Sequence, residues 1–325
     1  MDIFNIESPA AVFAAVTAGA VLKYVAGYWI LRNTNKVQWR QVGTVGAIWI
    51  YPIKSFRGIS IHEADCTYLG LRWRQLTDRH FTVATADGVY LTQRQEPTMA
   101  LITPILNGND IQLMAPGMDP IGVPVHQDVT EYNISKVTIK TDTVPSVDCG
   151  DDVSNWLCRY FKREGLRLHY SAPSLEKRDC YKAKKMWQHP AKPGDMCAFS
   201  DYCGYMVFSM TSLADLNSRL EKPVPVTNFR ANIIVDGSSA YSEDFWSSIK
   251  ICDAELRALD ACTRCLLTTV DQSTGVKDSK EEPLSTLKTY RLKEPYGQKP
   301  CFGINFTLDK PGKIKVGDPI YALSQ

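Results

Sequence analysis

Val42–Tyr51 reads VGTVGAIWIY and stops at Pro52. β-Branched and aromatic side chains fit a pleated, half-buried surface, and proline cannot donate to a ladder, so this stretch predicts a strand. Two later stretches carry the same signal with a turn built in. FTVAT-ADG-VYLTQ (81–93) turns at Asp87-Gly88, and ALITPIL-NG-NDIQLM (100–114) turns at Asn107-Gly108. Both dipeptides favour the tight turns of β-hairpins. Helical spacing is convincing in two places only. Over Asp151–Phe161, Val153, Trp156, Leu157, Tyr160 and Phe161 share one face; over Ser212–Leu220, Leu213, Leu216 and Leu220 form a stripe, with Ser212 and Asp215 resembling a capping box. LLTTV after Cys265 reads as another strand. The pattern predicts a mostly β protein with a few helices (α+β). A polar, Lys- and Pro-containing stretch, Ser171–Asp195, divides two β-rich halves, 41–173 and 174–325.

With 325 residues and 44% hydrophobic content, the chain can bury a sizeable core. Its 37 Lys and Arg against 35 Asp and Glu leave a net charge of +2. That is too little for the basic face that binding a phosphate backbone requires, which argues against a nucleic-acid partner. A chain of this size does not need disulfides, so the ten cysteines are expected as reduced thiols facing the cytosol.

Residues 1–40 differ in character. Pro9–Leu31 (PAAVFAAVTAGAVLKYVAGYWIL) holds one charge, and as a helix it spans roughly the thickness of a bilayer core. Lys23 costs about 3 kcal/mol at bilayer depth unless its stem snorkels to the headgroups. A cleaved signal peptide would begin with basic residues, whereas Asp2 and Glu7 lead here and Arg32, Lys36 and Arg40 follow. The reading is one N-terminal transmembrane helix, uncleaved, with its C-terminal side in the cytosol; a buried soluble helix is the alternative.

Cys262 and Cys265 stand in ACTRCLLTTVD as C-x-x-C. A structural zinc site calls for a second pair or spaced histidines, and a thioredoxin-like pair calls for a strand-to-helix context. Neither is present. A thiol beside the Arg264 guanidinium favours thiolate, hence metal ligation or nucleophilicity, although an inert buried cysteine stays open. Charged residues inside strand patterns need partners when buried. Lys54 and Ser55 in YPIKS, Arg79 in TDRHF, and Arg230 with Asn232 in TNFRANIIV are such positions. If Lys54, Arg79, Arg230 and Arg264 converge, they form a dianion pocket. No G-x-G-x-x-G, Walker or G-x-S-x-G motif supports a nucleotide-fold or serine-hydrolase reading.

YPIKS, LTDRHF, TQRQEP, SLADLNSRL, NFRANIIV, ACTRCLLTTVD, EPLSTLKTYR and IKVGDPIY together resemble the mitochondrial amidoxime-reducing component family, over nearly the whole chain. The resemblance implies a MOSC N-terminal β-barrel-like domain and a MOSC β-barrel domain holding a molybdenum-molybdopterin cofactor (Moco). It implies Cys265 as metal ligand and Asp201, in FSDYCG, beside the metal. Lys54, Ser55, Arg79, Arg230, Asn232, Thr263 and Arg264 would surround the cofactor. Tyr202-Cys203 replace a Thr-Ser pair of the family, and Asn305 stands where tyrosine is frequent, so these contacts depart from its pattern. The implied reaction is reduction of small N-hydroxylated substrates, with electrons from NADH through cytochrome b5 reductase and cytochrome b5. The implied location is the outer mitochondrial membrane, single-pass, with the catalytic part facing the cytosol. Two rival classes are a MOSC-type sulfur carrier, which resembles a fusion to a pyridoxal-phosphate domain absent here, and a non-enzymatic membrane adaptor.

Overall fold

The expected first strand exists and organises the molecule. In a computed structural model describing residues 23–25, 38–126, 128–131, 133–182 and 191–324, β1 runs from Arg40 to Ile50 and buries Val45, Ile48 and Ile50. Burying each such side chain contributes about 1.5–3 kcal/mol. The chain divides into Met1–Trp39 and Arg40–Gln325. In the first unit only Lys23–Val25 is described as helix, so the expected membrane helix Pro9–Leu31 lies almost wholly outside the described residues. Among the described residues, no helix is long and apolar enough to cross a membrane.

Within the second unit β1 pairs with strands from the opposite end of the chain. One side meets β21 (Pro319–Ser324) and the short β2 (Ile59–Ile61); β16 (Ile233–Asp236) pairs with it as well. Through β16, β15 (Tyr205–Ser209), β19 (Cys301–Lys310), β18 (Ala254–Thr263), β17 (Trp246–Ile251) and β21, the ring returns to β1. Seven strands thus close into a barrel, which leaves no open edge among them. All neighbours are antiparallel except β15 and β16, whose parallel pairing needs a crossover, supplied by α2 (Met210–Asn217). The remaining strands form smaller sheets; β6 (Phe81–Ala84) belongs to one with β12 (Arg167–Tyr170), β11 (Asp142–Asp148) and β10 (Ile134–Ile139). One continuous core joins barrel residues such as Ile249 and Phe306 to Val83, Ile111 and Trp156 of the N-terminal half. A second core packs Phe229 on Phe302 at 4.3 Å, beside Phe208, Leu213 and Leu287.

The helix α1 spans Asp151–Phe161 as expected, and β7 (Thr103–Asn107) and β8 (Asp110–Met114) form the expected hairpin with Gly108 at φ 60° in its turn. The Asp87-Gly88 turn also forms, with Gly88 at φ 78°, although beyond it only the Ala84–Tyr90 bridge pairs back. Three expectations are corrected. The cap of α2 is Ser209, whose Oγ accepts from Ser212 N at 3.1 Å, so the helix starts before Ser212, which sits inside its first turn. Leu266–Thr269 is a 3-10 turn and not a strand: Thr268 N and Oγ1 both donate to the Cys265 carbonyl, which curls the backbone. A third helix, α3 (Leu284–Tyr290), was not expected; it is seven residues long and buries only Leu284 and Leu287, too short to show a periodicity.

Candidate active site

Where β1 ends, the chain turns through Lys54 and Ser55. Lys54 N donates to Phe81 O at 2.8 Å, Arg79 N donates to Tyr51 O at 2.7 Å, and Tyr51 N donates to Asp78 Oδ1 at 2.7 Å, so two segments are laced together at the barrel rim. Arg230 and Asn232 arrive at the end of the crossover, just before β16. Ser55, Arg79 and Arg230 hold φ of 68°, 52° and 54°. Left-handed backbone at non-glycine residues costs free energy and is retained where surrounding structure over-determines it, as at ligand sites.

These segments surround a cavity of about 540 Å³, within the roughly 300–1,000 Å³ usual for small-molecule sites. All twelve residues singled out from the sequence stand on its wall: Lys54, Ser55, Arg79, Asp201, Tyr202 and Cys203 from one side, and Arg230, Asn232, Thr263, Arg264, Cys265 and Asn305 from the other strands and turns. Sequence reasoning missed Arg94, Lys140, Arg178, Asp260 and Lys299. Eight Lys and Arg then face three Asp along the lining, so the chain's small positive charge is concentrated here. The cavity suits an anion.

The cations are held differently. Arg79 donates to the fully buried Asp78 and, at 2.8 Å, to Arg230 O. Arg264 is committed to backbone, giving Nε to Phe302 O at 2.8 Å and Nη1 to Phe229 O at 3.0 Å. Asn232 ties elements together, accepting from Met206 N at 3.2 Å and donating to Trp49 O at 3.3 Å. Arg230 is unlike them. Its guanidinium lies 4.3 Å over the Tyr51 ring, and both terminal nitrogens are buried without a hydrogen-bond partner. Burial, with Arg79 nearby, pulls its pKa down to about 10, so it stays charged at neutral pH and demands an acceptor.

Lys54 is 5% exposed and its Nζ donates to Asp201 Oδ1 at 2.5 Å. Burial pulls the ammonium down to about 8 against the opposing pull of Asp201. For Asp201, enclosure by the cavity walls opposes ionisation, but Lys54, Lys140 and Arg94 outweigh it and hold the carboxyl far below its usual range. More than half of the Asp201 side chain still faces the open cavity, so water supports that ionised form too.

The two cysteines of the C-x-x-C part company. Both line the cavity, but Cys262, next to last in β18, is half-buried and packs against the Phe208–Phe229–Phe302 core, where burial raises its thiol despite Arg264. Cys265, three residues on in extended backbone (φ −138°, ψ 178°), is exposed on the cavity wall. A register shift between Ala261 and Thr263 re-aims this strand end.

Residues 42–164 match the model of the MOSC N-terminal beta barrel domain, and residues 195–321 match the MOSC domain. Mitochondrial amidoxime-reducing component 1 of Mus musculus is 40% identical over 317 residues, 96% of this chain and 92% of the mouse protein. The Homo sapiens protein of the same name is 40% identical over 316 residues, 96% of this chain and 91% of the human one. Mitochondrial amidoxime reducing component 2 of Rattus norvegicus is 38% identical over 316 residues, 95% and 92% of the two chains. The chain belongs to the mitochondrial amidoxime-reducing component family. In this member of the family, Lys54, Arg79 and Arg94 come from the first matched segment, and Asp201, Arg230 and Cys265 from the second. The cavity lies where the two matched segments meet.

Proposed function

We propose that this cavity holds a mononuclear molybdenum-pterin cofactor, with Cys265 as its protein ligand, and that the chain reduces N-hydroxylated compounds such as amidoximes and hydroxylamines. The observation that carries this reading is the pair of buried, unpartnered Arg230 nitrogens on the wall that also bears the exposed Cys265 thiol. The donor set fits the group: a soft thiolate suits molybdenum, and an excess of guanidinium and ammonium groups suits a phosphate-bearing pterin. When bound, the cofactor supplies the two-electron reductive chemistry that removes oxygen from nitrogen. The residues do the rest. Arg230 binds and neutralises phosphate, while Arg79 carries the backbone that presents it. Asp201, kept ionised by Lys54, accepts hydrogen bonds from the N–H and O–H groups of an amidoxime and orients it. Lys54 retains a transferable proton up to about pH 8, as the departing oxygen requires on its way to water.

The names of the relatives support placing the chain in mitochondria. In this reading the apolar segment before residue 40 anchors it in the outer membrane with the cavity facing the cytosol, and electrons arrive from NADH through cytochrome b5 reductase and cytochrome b5. Metal and pterin analysis of the purified chain tests the proposal. About one molybdenum and one pterin per chain are expected; a protein free of both would overturn it.

A further inference from the structure

Two of the three carboxylates lining the cavity are paired: Asp142 with Arg178 at 2.8 Å, and Asp201 with Lys54 at 2.5 Å. Asp260 is not. On β18 its Oδ1 accepts from the Tyr296 hydroxyl, and no cation pairs with it among the described residues. Burial pushes this carboxyl up to about 7, opposed only by hydrogen bonds from Tyr296 and the Ala261 amide. A register shift between Ala258 and Asp260 sets it opposite Asn305 of β19, and both residues line the cavity. Residues opposite one another on antiparallel strands are about 5 Å apart, so a carboxyl and an amide stand side by side on one wall.

We propose that Asp260 and Asn305 read the pyrimidinone edge of the pterin, Asp260 accepting from its 2-amino group and N3–H while the Asn305 amide donates to its 4-oxo group. This inference rests on the cofactor reading above. The charges of the wall sort the two ends of such a ligand. A phosphate is drawn to Arg230, whose terminal donors lack acceptors; the donor edge of the base is drawn to Asp260, a cavity-lining carboxyl that no cation pairs with among the described residues. An uncompensated carboxyl is costly to enclose, and two N–H donors stabilise its ionised form.

The test uses the full-length chain purified with its cofactor, comparing pterin, read as its fluorescent oxidation product, and molybdenum before and after prolonged dialysis. Asp260→Asn replaces one acceptor by a donor at constant shape, and Asp260→Ser serves if that variant does not fold. Either is expected to lose pterin at least about tenfold faster than wild type, the scale of a charge-assisted hydrogen bond. Tyr296→Phe removes the supporting hydroxyl but leaves the acceptor facing the cavity, and should retain pterin within about threefold of wild type. Wild-type retention in both Asp260 variants overturns the inference and leaves the cofactor reading standing. Equal loss in Tyr296→Phe also overturns it, because Asp260 would then only brace the loop. Wild-type protein without pterin overturns the cofactor reading itself and the inference with it.

Discussion

Lys54 Nζ lies 2.5 Å from Asp201 Oδ1, joining residues 147 apart in sequence across the cavity wall. The pair sets its own pH range. Burial lowers the Lys54 ammonium and Asp201 raises it back to about 8, so a reaction that needs this ammonium is lost as pH rises through about 8. Asp201→Asn removes the opposing charge. Its rate of N-hydroxy reduction should fall by about 10²-fold, within the range of positioned acid–base groups, and the alkaline limb of the pH–rate profile should move to lower pH. An unmoved limb would take Lys54 out of the proton path.

Arg79 and Arg230 are separable although they touch the same ring. Arg79→Ala strips the ion-pair partner from the fully buried Asp78 and should cost about 3–5 kcal/mol of stability. Arg230→Ala removes a desolvated cation whose terminal nitrogens have no partner, so its melting temperature should stay level or rise while cofactor content falls. Thermal unfolding beside molybdenum analysis gives both readings. Arg230→Ala with full cofactor content would dissociate it from the phosphate.

How much of this was legible beforehand depends on where the information lies. Arg79, Arg230 and Asn232 stood out because charged or amide groups beside apolar strand patterns need partners, and the structure places each on the cavity wall. Asp260 was not legible: in RALDACT it reads as one more alternating residue, and the register shift that sets it opposite Asn305 is a property of two strands and not of one. Lys140 and Arg178 reach the cavity from a hairpin turn and a two-stranded ribbon, whose approach is set by tertiary packing. LLTTV misled because its β-branched residues favour strands, while the Thr268 contacts to the Cys265 carbonyl curl it into a turn. Barrel closure by β1 and β16 joins segments nearly two hundred residues apart, beyond the reach of local pattern.

Acid should unfold the protein through two buried histidines. His80 and His169 are both pulled down to about 4, chiefly by burial, and His169 Nε2 has no partner. Between pH 4 and the ordinary histidine range the unfolded chain binds more protons than the folded one, so stability falls as pH drops through that window. At about 1.4 kcal/mol per pH unit, each histidine contributes up to ~3 kcal/mol of loss. His169→Gln should flatten the melting-temperature profile between pH 6.5 and 4. A profile as steep as wild type would assign the acid lability elsewhere.

Ser209 caps the crossover helix that delivers Arg230 and Asn232 to the cavity, and its amide also donates to the buried Glu243. Ser209→Ala should cost about 1 kcal/mol, the usual value of an N-cap hydroxyl, without changing the thiol chemistry at Cys265. Urea unfolding checks the first part, and the alkylation rate of Cys265 checks the second.

Cys265, and not its C-x-x-C neighbour, is the proposed metal ligand. Both cysteines line the cavity, but Cys265 is exposed there, while Cys262 is half-buried against the aromatic core with its thiol raised by burial. The deciding measurement is reduction of an N-hydroxylated test compound by Cys265→Ser and Cys262→Ser, with reductase and cytochrome b5 in excess. Cys265→Ser should abolish turnover, because a hydroxyl is a poor substitute for thiolate on molybdenum, and Cys262→Ser should keep most activity at a cost of about 1–2 kcal/mol in packing. Normal turnover in Cys265→Ser, or equal loss in both variants, would contradict the account.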